Sequence, residues 1–174
     1  MKKYLGWLAA LCGFAVVHEG MHAIMASIYG EYQSFAVRPY GLEVVYKTAV
    51  PERVGLKWGF ISGASNVMTL ALGYCLFLCR AKISVSPRRF LRNAAFWATV
   101  LFLLIDPFNL SVGPFFYGGD IGGLASGFGI NRLLLQGFFC AILLFNRELI
   151  VRKLLPAYGV ETRHPFFRPW LKKK

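Results

Sequence analysis

From Tyr4 to Gly30 the chain reads YLGWLAALCGFAVVHEGMHAIMASIYG. The run is longer than the ~20 apolar residues needed to cross a hydrocarbon core, so it predicts a membrane-spanning helix. Its only His, Asp, Glu, Lys or Arg residues are His18, Glu19 and His22. Histidines four apart share one helix face and lie about 6 Å apart along the axis. Two such imidazoles can hold one zinc ion, and a glutamate between them can take a proton from water. Each polar group of this kind costs roughly a few kcal/mol in hydrocarbon, so a chain keeps them where they are used. The combination points to metal-assisted hydrolysis within a membrane.

Composition agrees with a membrane setting. The chain has 174 residues, of which 56% are hydrophobic, and a mean hydropathy of +0.50, too oily for a soluble domain of this length. Its 16 Phe and 18 Gly suit packed membrane helices. Residues 1–174 read as one integral-membrane domain, with a basic tail from about 147. The net charge of +12 gathers at the ends of apolar runs, which favours anionic lipid over nucleic acid as partner. Cys12, Cys75, Cys79 and Cys140 all fall inside expected spans and read as small apolar packing residues, not as a disulfide framework. Met1-Lys2-Lys3 before an apolar run imitates a signal peptide, but the run is long and lacks a small-residue cleavage site, so it reads as a retained span.

The expected architecture is all-α, with about four transmembrane helices. They run from about Tyr4 to Tyr29, Trp58 to Cys79, Phe90 to Ile105, and from near Asp120 to near Phe145. Arg132 falls in the middle of the fourth, so either it faces a wet interior or the helix breaks at Gly127-Phe128-Gly129 and restarts. Between the first two spans, Ser34 to Lys47 is rich in β-branched and aromatic residues around Pro39-Tyr40-Gly41, which predicts a β-hairpin. Such a hairpin either caps the bundle or offers an edge to an extended peptide. Basic residues crowd the amino end, the loop Arg80 to Arg92 and the tail, against only Arg38, Lys47, Arg53 and Lys57 on the other side. The positive-inside rule then places both termini in the cytoplasm. Arg163, Arg168 and Lys172-Lys173-Lys174, interleaved with Phe166, Phe167 and Trp170, suit an interfacial anchor.

A catalytic zinc needs a third protein ligand and an open position. Of eight acidic residues, only Asp106 and Asp120 remain in apolar surroundings outside the first span. Asp106 precedes Pro107 and reads as the end of the third helix. Asp120 lies in a segment with seven glycines between Ser111 and Gly129, an irregular stretch before the fourth span. Gly119, Gly123 and Gly127 recur every four residues and form a smooth ridge. Pressed against the first span, that ridge would carry Asp120 to the histidines; the alternative is packing alone, with Asp120 as a helix N-cap. Asn109 could bond a substrate backbone or satisfy unwound chain.

These residues together resemble the site-2 protease family of intramembrane zinc metalloproteases. His18-Glu19-Gly20-Met21-His22 lies within a span, Ser62-Gly63-Ala64-Ser65-Asn66 is similar to the family's Gly-Pro-x-x-Asn, and Asn109-Leu110 followed by Asp120-Ile121-Gly122-Gly123 is similar to its Asn-Leu-x-Pro stretch leading to Asp-Gly. The likeness runs from about Phe14 to Leu133, in the family's order. It implies His18, His22 and Asp120 as zinc ligands, Glu19 as general base, Asn109 as a substrate-binding residue and the hairpin as a membrane-associated β element to which substrates add a strand. Ile121 stands where the family has glycine, and no proline precedes Asn66. The family's loop after this span faces the cytoplasm, opposite to the charge count.

The expected activity is that of a multi-pass endopeptidase of the cell membrane, cutting membrane-protein substrates held in extended form. Alternatives are a catalytically inactive relative that binds zinc or a membrane partner, and a metal-ion transporter in which the same side chains line a path.

Overall fold

A computed structural model of the chain describes residues 2–39, 41–162 and 164–170, without the side chains of residues 2 and 3. Tyr40 of the expected turn, and Arg163 and Lys172-Lys173-Lys174 of the tail, lie outside the described residues. Among the described residues four helical stretches are long and apolar enough to cross a membrane: Tyr4–Ile28, Leu56–Leu78, Arg89–Phe115 and Arg132–Ala157. The protein is an all-α membrane protein with one antiparallel hairpin between its first two spans.

Helix α1 (Lys2–Ile28) turns Leu5, Leu8, Val16, Ile24 and Ile28 outward. Apolar residues on the outside as well as the inside are what a lipid-facing helix requires. After α1, strands β1 (Tyr32–Arg38) and β2 (Gly41–Tyr46) pair with Arg38 opposite Gly41 and Phe35 opposite Val44. Helix α2 (Leu56–Leu78) leads to the short α3 (Arg80–Ser84) and then to α4 (Arg89–Ser111). Helices α1 and α4 pack on each other and both on α2. Three of the four cysteines, Cys12, Cys75 and Cys79, are exposed on the outer surface rather than packed inside.

Asp106 does not end the third helix. Helix α4 continues through Pro107 to Ser111. A proline removes the N–H that the carbonyl four residues back would accept, and here that is the Leu103 carbonyl. Asn146 Nδ2 donates to Leu103 O at 2.8 Å in its place, and Asn146 Oδ1 accepts from the Tyr74 hydroxyl at 2.6 Å. With the freed carbonyl satisfied from a neighbouring helix, the proline is tolerated.

The glycine-rich segment contains its own helix, α5 (Ile121–Phe128), closed by Gly129 at φ +64°, a left-handed conformation that suits glycine. The fourth span is a separate helix, α6 (Arg132–Leu149), capped by Asn131, whose Oδ1 accepts from Leu133 N at 2.8 Å. The chain therefore breaks and restarts. Arg132 sits at the start of α6, where its guanidinium donates to Pro114 O at 3.0 Å. Helix α6 runs on through a π-helical turn, Ile150–Leu154, to Ala157. The ridge formed by Gly123 and Gly127 packs on α2, against Ser62 and the backbone of Gly59, and not on α1. A smooth ridge fits any helix that offers an equally small face, and α2 supplies Gly59, Ser62 and Gly63.

Candidate metal centre

The site lies in the half of the bundle nearest the hairpin. His22 is six residues from the end of α1, about 9 Å of helix rise. His18 and His22 direct their Nε2 atoms at one another across 3.2 Å. Asp120, at the N-terminal boundary of α5, brings Oδ2 to 3.4 Å from His18 Nε2 and 3.3 Å from His22 Nε2. Its carboxylate makes no capping bond to α5; it points at the imidazoles.

These three atoms form a triangle of 3.2, 3.3 and 3.4 Å. A tetrahedral zinc centre with bonds of 2.0–2.1 Å has ligand–ligand edges of about 3.4 Å, so the triangle has the size of one face of that tetrahedron. Nitrogen and carboxylate donors are the types that zinc accepts. The residues present therefore fit a zinc ion as three of its ligands.

Around the triangle each ligand has a second contact. His22 Nδ1 donates to Ile61 O on α2 at 2.8 Å, which fixes Nε2 as the inward-facing nitrogen. His18 Nδ1 lies 3.2 Å from Asp106 Oδ1. Asn66 Nδ2 donates to Asp120 Oδ2 at 3.2 Å and to Ser62 O at 2.7 Å. Ser65 Oγ lies 3.0 Å from His22 Nε2. Glu19, the next residue along α1 from His18, accepts the Val44 N–H on Oε2 at 3.0 Å. Val44 faces Phe35 in the hairpin, but its amide turns out of the ladder toward α1, as alternate residues of an antiparallel pair do. Tyr46, two residues on, packs edge-on against Trp58 beneath the Arg53 guanidinium. Burial, with the Asp120 and Glu19 carboxylates nearby, pushes the Tyr46 phenol well above its usual range.

The structure thus brings together His18, His22 and Asp120, with Glu19 beside them on α1. It does not draw Asn109 into the group. Asn109 Oδ1 accepts from the Tyr117 hydroxyl at 2.6 Å, and among the described residues it makes no hydrogen bond to the cluster. Thr69 escaped the sequence reading altogether, Ser65 and Asn66 entered it only within a motif with no role given, and Asp106 entered it as the rival to Asp120 and was read as a helix end. Their signal was available. Polar residues at 65, 66 and 69 make a stripe on one face of an apolar span, and an aspartate inside a span is costly unless partnered. Comparison with protein-family models, with curated proteins and with solved structures finds no match for the chain.

Proposed function

We propose that the chain is an intramembrane zinc endopeptidase that hydrolyses peptide bonds in or near the transmembrane segments of membrane proteins. The observation that carries this reading is the triangle of two Nε2 atoms and one carboxylate oxygen, with edges of 3.2 to 3.4 Å, next to a glutamate on the same helix. When bound, zinc supplies a Lewis acid that polarises a peptide carbonyl and makes water nucleophilic near neutral pH. The remaining steps belong to the chain. His18 and His22 would hold the ion through Nε2, and Asp120 through Oδ2. Glu19 takes a proton from the attacking water on a carboxylate oxygen and delivers it to the leaving amide nitrogen. The Val44 amide on Oε2 keeps the carboxylate in one orientation for that transfer.

A helical substrate hides its carbonyls in its own hydrogen bonds, so it must unwind before it can be cut. The hairpin offers replacement backbone bonds at a strand edge, and β2 lies against α1 beside Glu19. Basic residues beyond the spans suit anionic lipid head groups.

The Val44 contact also favours a second reading. If the amide keeps Glu19 from water, the chain binds zinc without turnover. Membranes holding the wild-type chain or Glu19→Gln, compared by mass spectrometry of new protein N-termini, separate the two. The protease reading expects equal zinc content, with new N-termini in the wild type only. Equal sets of N-termini in both, with zinc bound, overturn it in favour of the silent relative.

A further inference from the structure

We propose that Asp106 is a positioning residue for the metal centre: it holds the His18 imidazole from behind, so that Nε2 faces the ion. The inference rests on the zinc reading above and adds a residue to which neither the motif nor its spacing points.

The two histidines are held differently. His22 Nδ1 donates to a neutral backbone carbonyl, Ile61 O. His18 Nδ1 faces a carboxylate, Asp106 Oδ1, at 3.2 Å. Both of those atoms are buried, and among the described residues neither meets hydrogen-bond geometry with any partner, so the contact is an ion-pair approach of two otherwise unbonded polar atoms. Asp106 is wholly buried. A carboxylate in that position would be expensive without compensation, and its second oxygen takes a hydrogen bond from the Thr69 hydroxyl of α2. Thr69 has one proton and is also close to the Ser65 and Asn66 carbonyls. The Asp106 contact is the one of the three that joins α2 to α4.

The chain of contacts runs Thr69, Asp106, His18 and then the triangle, across α2, α4 and α1. Pro107 belongs to the same arrangement. It would be a helix stop, yet α4 passes through it, so Asp106 is presented from a continuous helix. A carboxylate behind a ligating imidazole fixes its tautomer and raises its basicity, and removing such a partner typically weakens metal binding about 10–100-fold.

The test uses the full chain in detergent, with zinc affinity read by competition against a chromophoric chelator and the visible spectrum read after cobalt substitution. Asp106→Asn keeps the shape but exchanges the carboxyl for an amide; Asp106→Ala removes the polar group altogether; Thr69→Val leaves the aspartate but takes its support. The expected result is a 10–100-fold loss of zinc affinity in both Asp106 variants and a smaller loss in Thr69→Val. The cobalt bands should shift in Asp106→Ala, because His18 is free to turn. Wild-type affinity and wild-type cobalt bands in Asp106→Asn and Thr69→Val overturn the inference, even if both variants melt earlier, since that pattern is a purely structural role. Should Asp106→Ala fail to fold, the other two variants carry the decision. Failure of the zinc reading looks different: the wild type itself would bind no zinc, or would bind it equally well after His22→Ala.

Discussion

Asn146 on α6 donates its side-chain amide to the Leu103 carbonyl on α4, across 2.8 Å, at the position that Pro107 leaves without its helical donor. The bond explains why α4 runs unbroken past a proline, and it makes a cycle testable. Asn146→Ala should destabilise the protein by about 1 kcal/mol, the scale of interhelical hydrogen bonds in membranes. In a Pro107→Ala background, where the helix supplies its own donor, the same change should cost less. Chemical unfolding of the four proteins in mixed micelles measures the coupling. Equal costs in both backgrounds would mean that the amide is not compensating for the proline.

Helix α5 meets α2 so closely that a methyl group at Gly127 would run into the Gly59 backbone, whereas one at Gly122 meets nothing within 4 Å. Backbone cannot step aside as a flexible side chain can, so Gly127→Ala should cost about 1–3 kcal/mol. Gly122→Ala, in open space within a helix, should be neutral or slightly stabilising. Thermal melts of the two variants give the comparison. Zinc affinity should fall with the first, because α5 carries Asp120 at its boundary.

Zinc itself should act as a stabiliser. A ligand that binds only the folded state adds about 4 kcal/mol at a thousandfold excess over its Kd. Added zinc should therefore raise the melting temperature of the wild type, and a chelator should reverse the rise. Asp120→Asn and His22→Ala should show little or no shift. A shift of wild-type size in both would place the binding elsewhere.

The Lys57 ammonium, 2.5 Å from Glu31 Oε1, and the Thr48 hydroxyl, 2.6 Å from Oε2, hold the Glu31 carboxyl below its usual range. A carboxyl whose pKa is lower folded than unfolded adds stability above its unfolded pKa, and that stability fades as pH falls through the folded value. Glu31→Gln should melt earlier than wild type at neutral pH, and the gap should close on acidification below the ordinary carboxylate range. A gap that stays constant with pH would show that the ion pair contributes nothing.

How far the sequence could be read differs from residue to residue. His18 and His22 were visible as a pair because helical geometry alone puts residues four apart on one face. The hairpin was visible from its β-branched run and its turn. Asp120 was one of two aspartates in apolar surroundings, and only the folded chain separates them: Asp120 faces Nε2, Asp106 faces Nδ1. Asp106 was misread for a definite reason. A local rule for the residue before proline ignores a donor 43 residues on from the Leu103 carbonyl that it satisfies. The glycine ridge had its shape in the sequence but not its partner, since smoothness does not say which neighbour will lie against it. The boundary between α5 and α6 was left open for a similar reason, because a left-handed glycine and a capping asparagine act together there.

His22 and Asp120 stand 98 positions apart in the chain, and that distance is also a time. At about 5–20 residues per second, a ribosome needs roughly 5–20 s to reach the aspartate after it has made the histidine. In a chain inserted as it is synthesised, α1 enters the bilayer carrying two imidazoles and a carboxylate whose partners do not yet exist. The centre thus cannot close until α5 has been made, and until then the newborn protein carries the two imidazoles of α1 without the carboxylate that joins them.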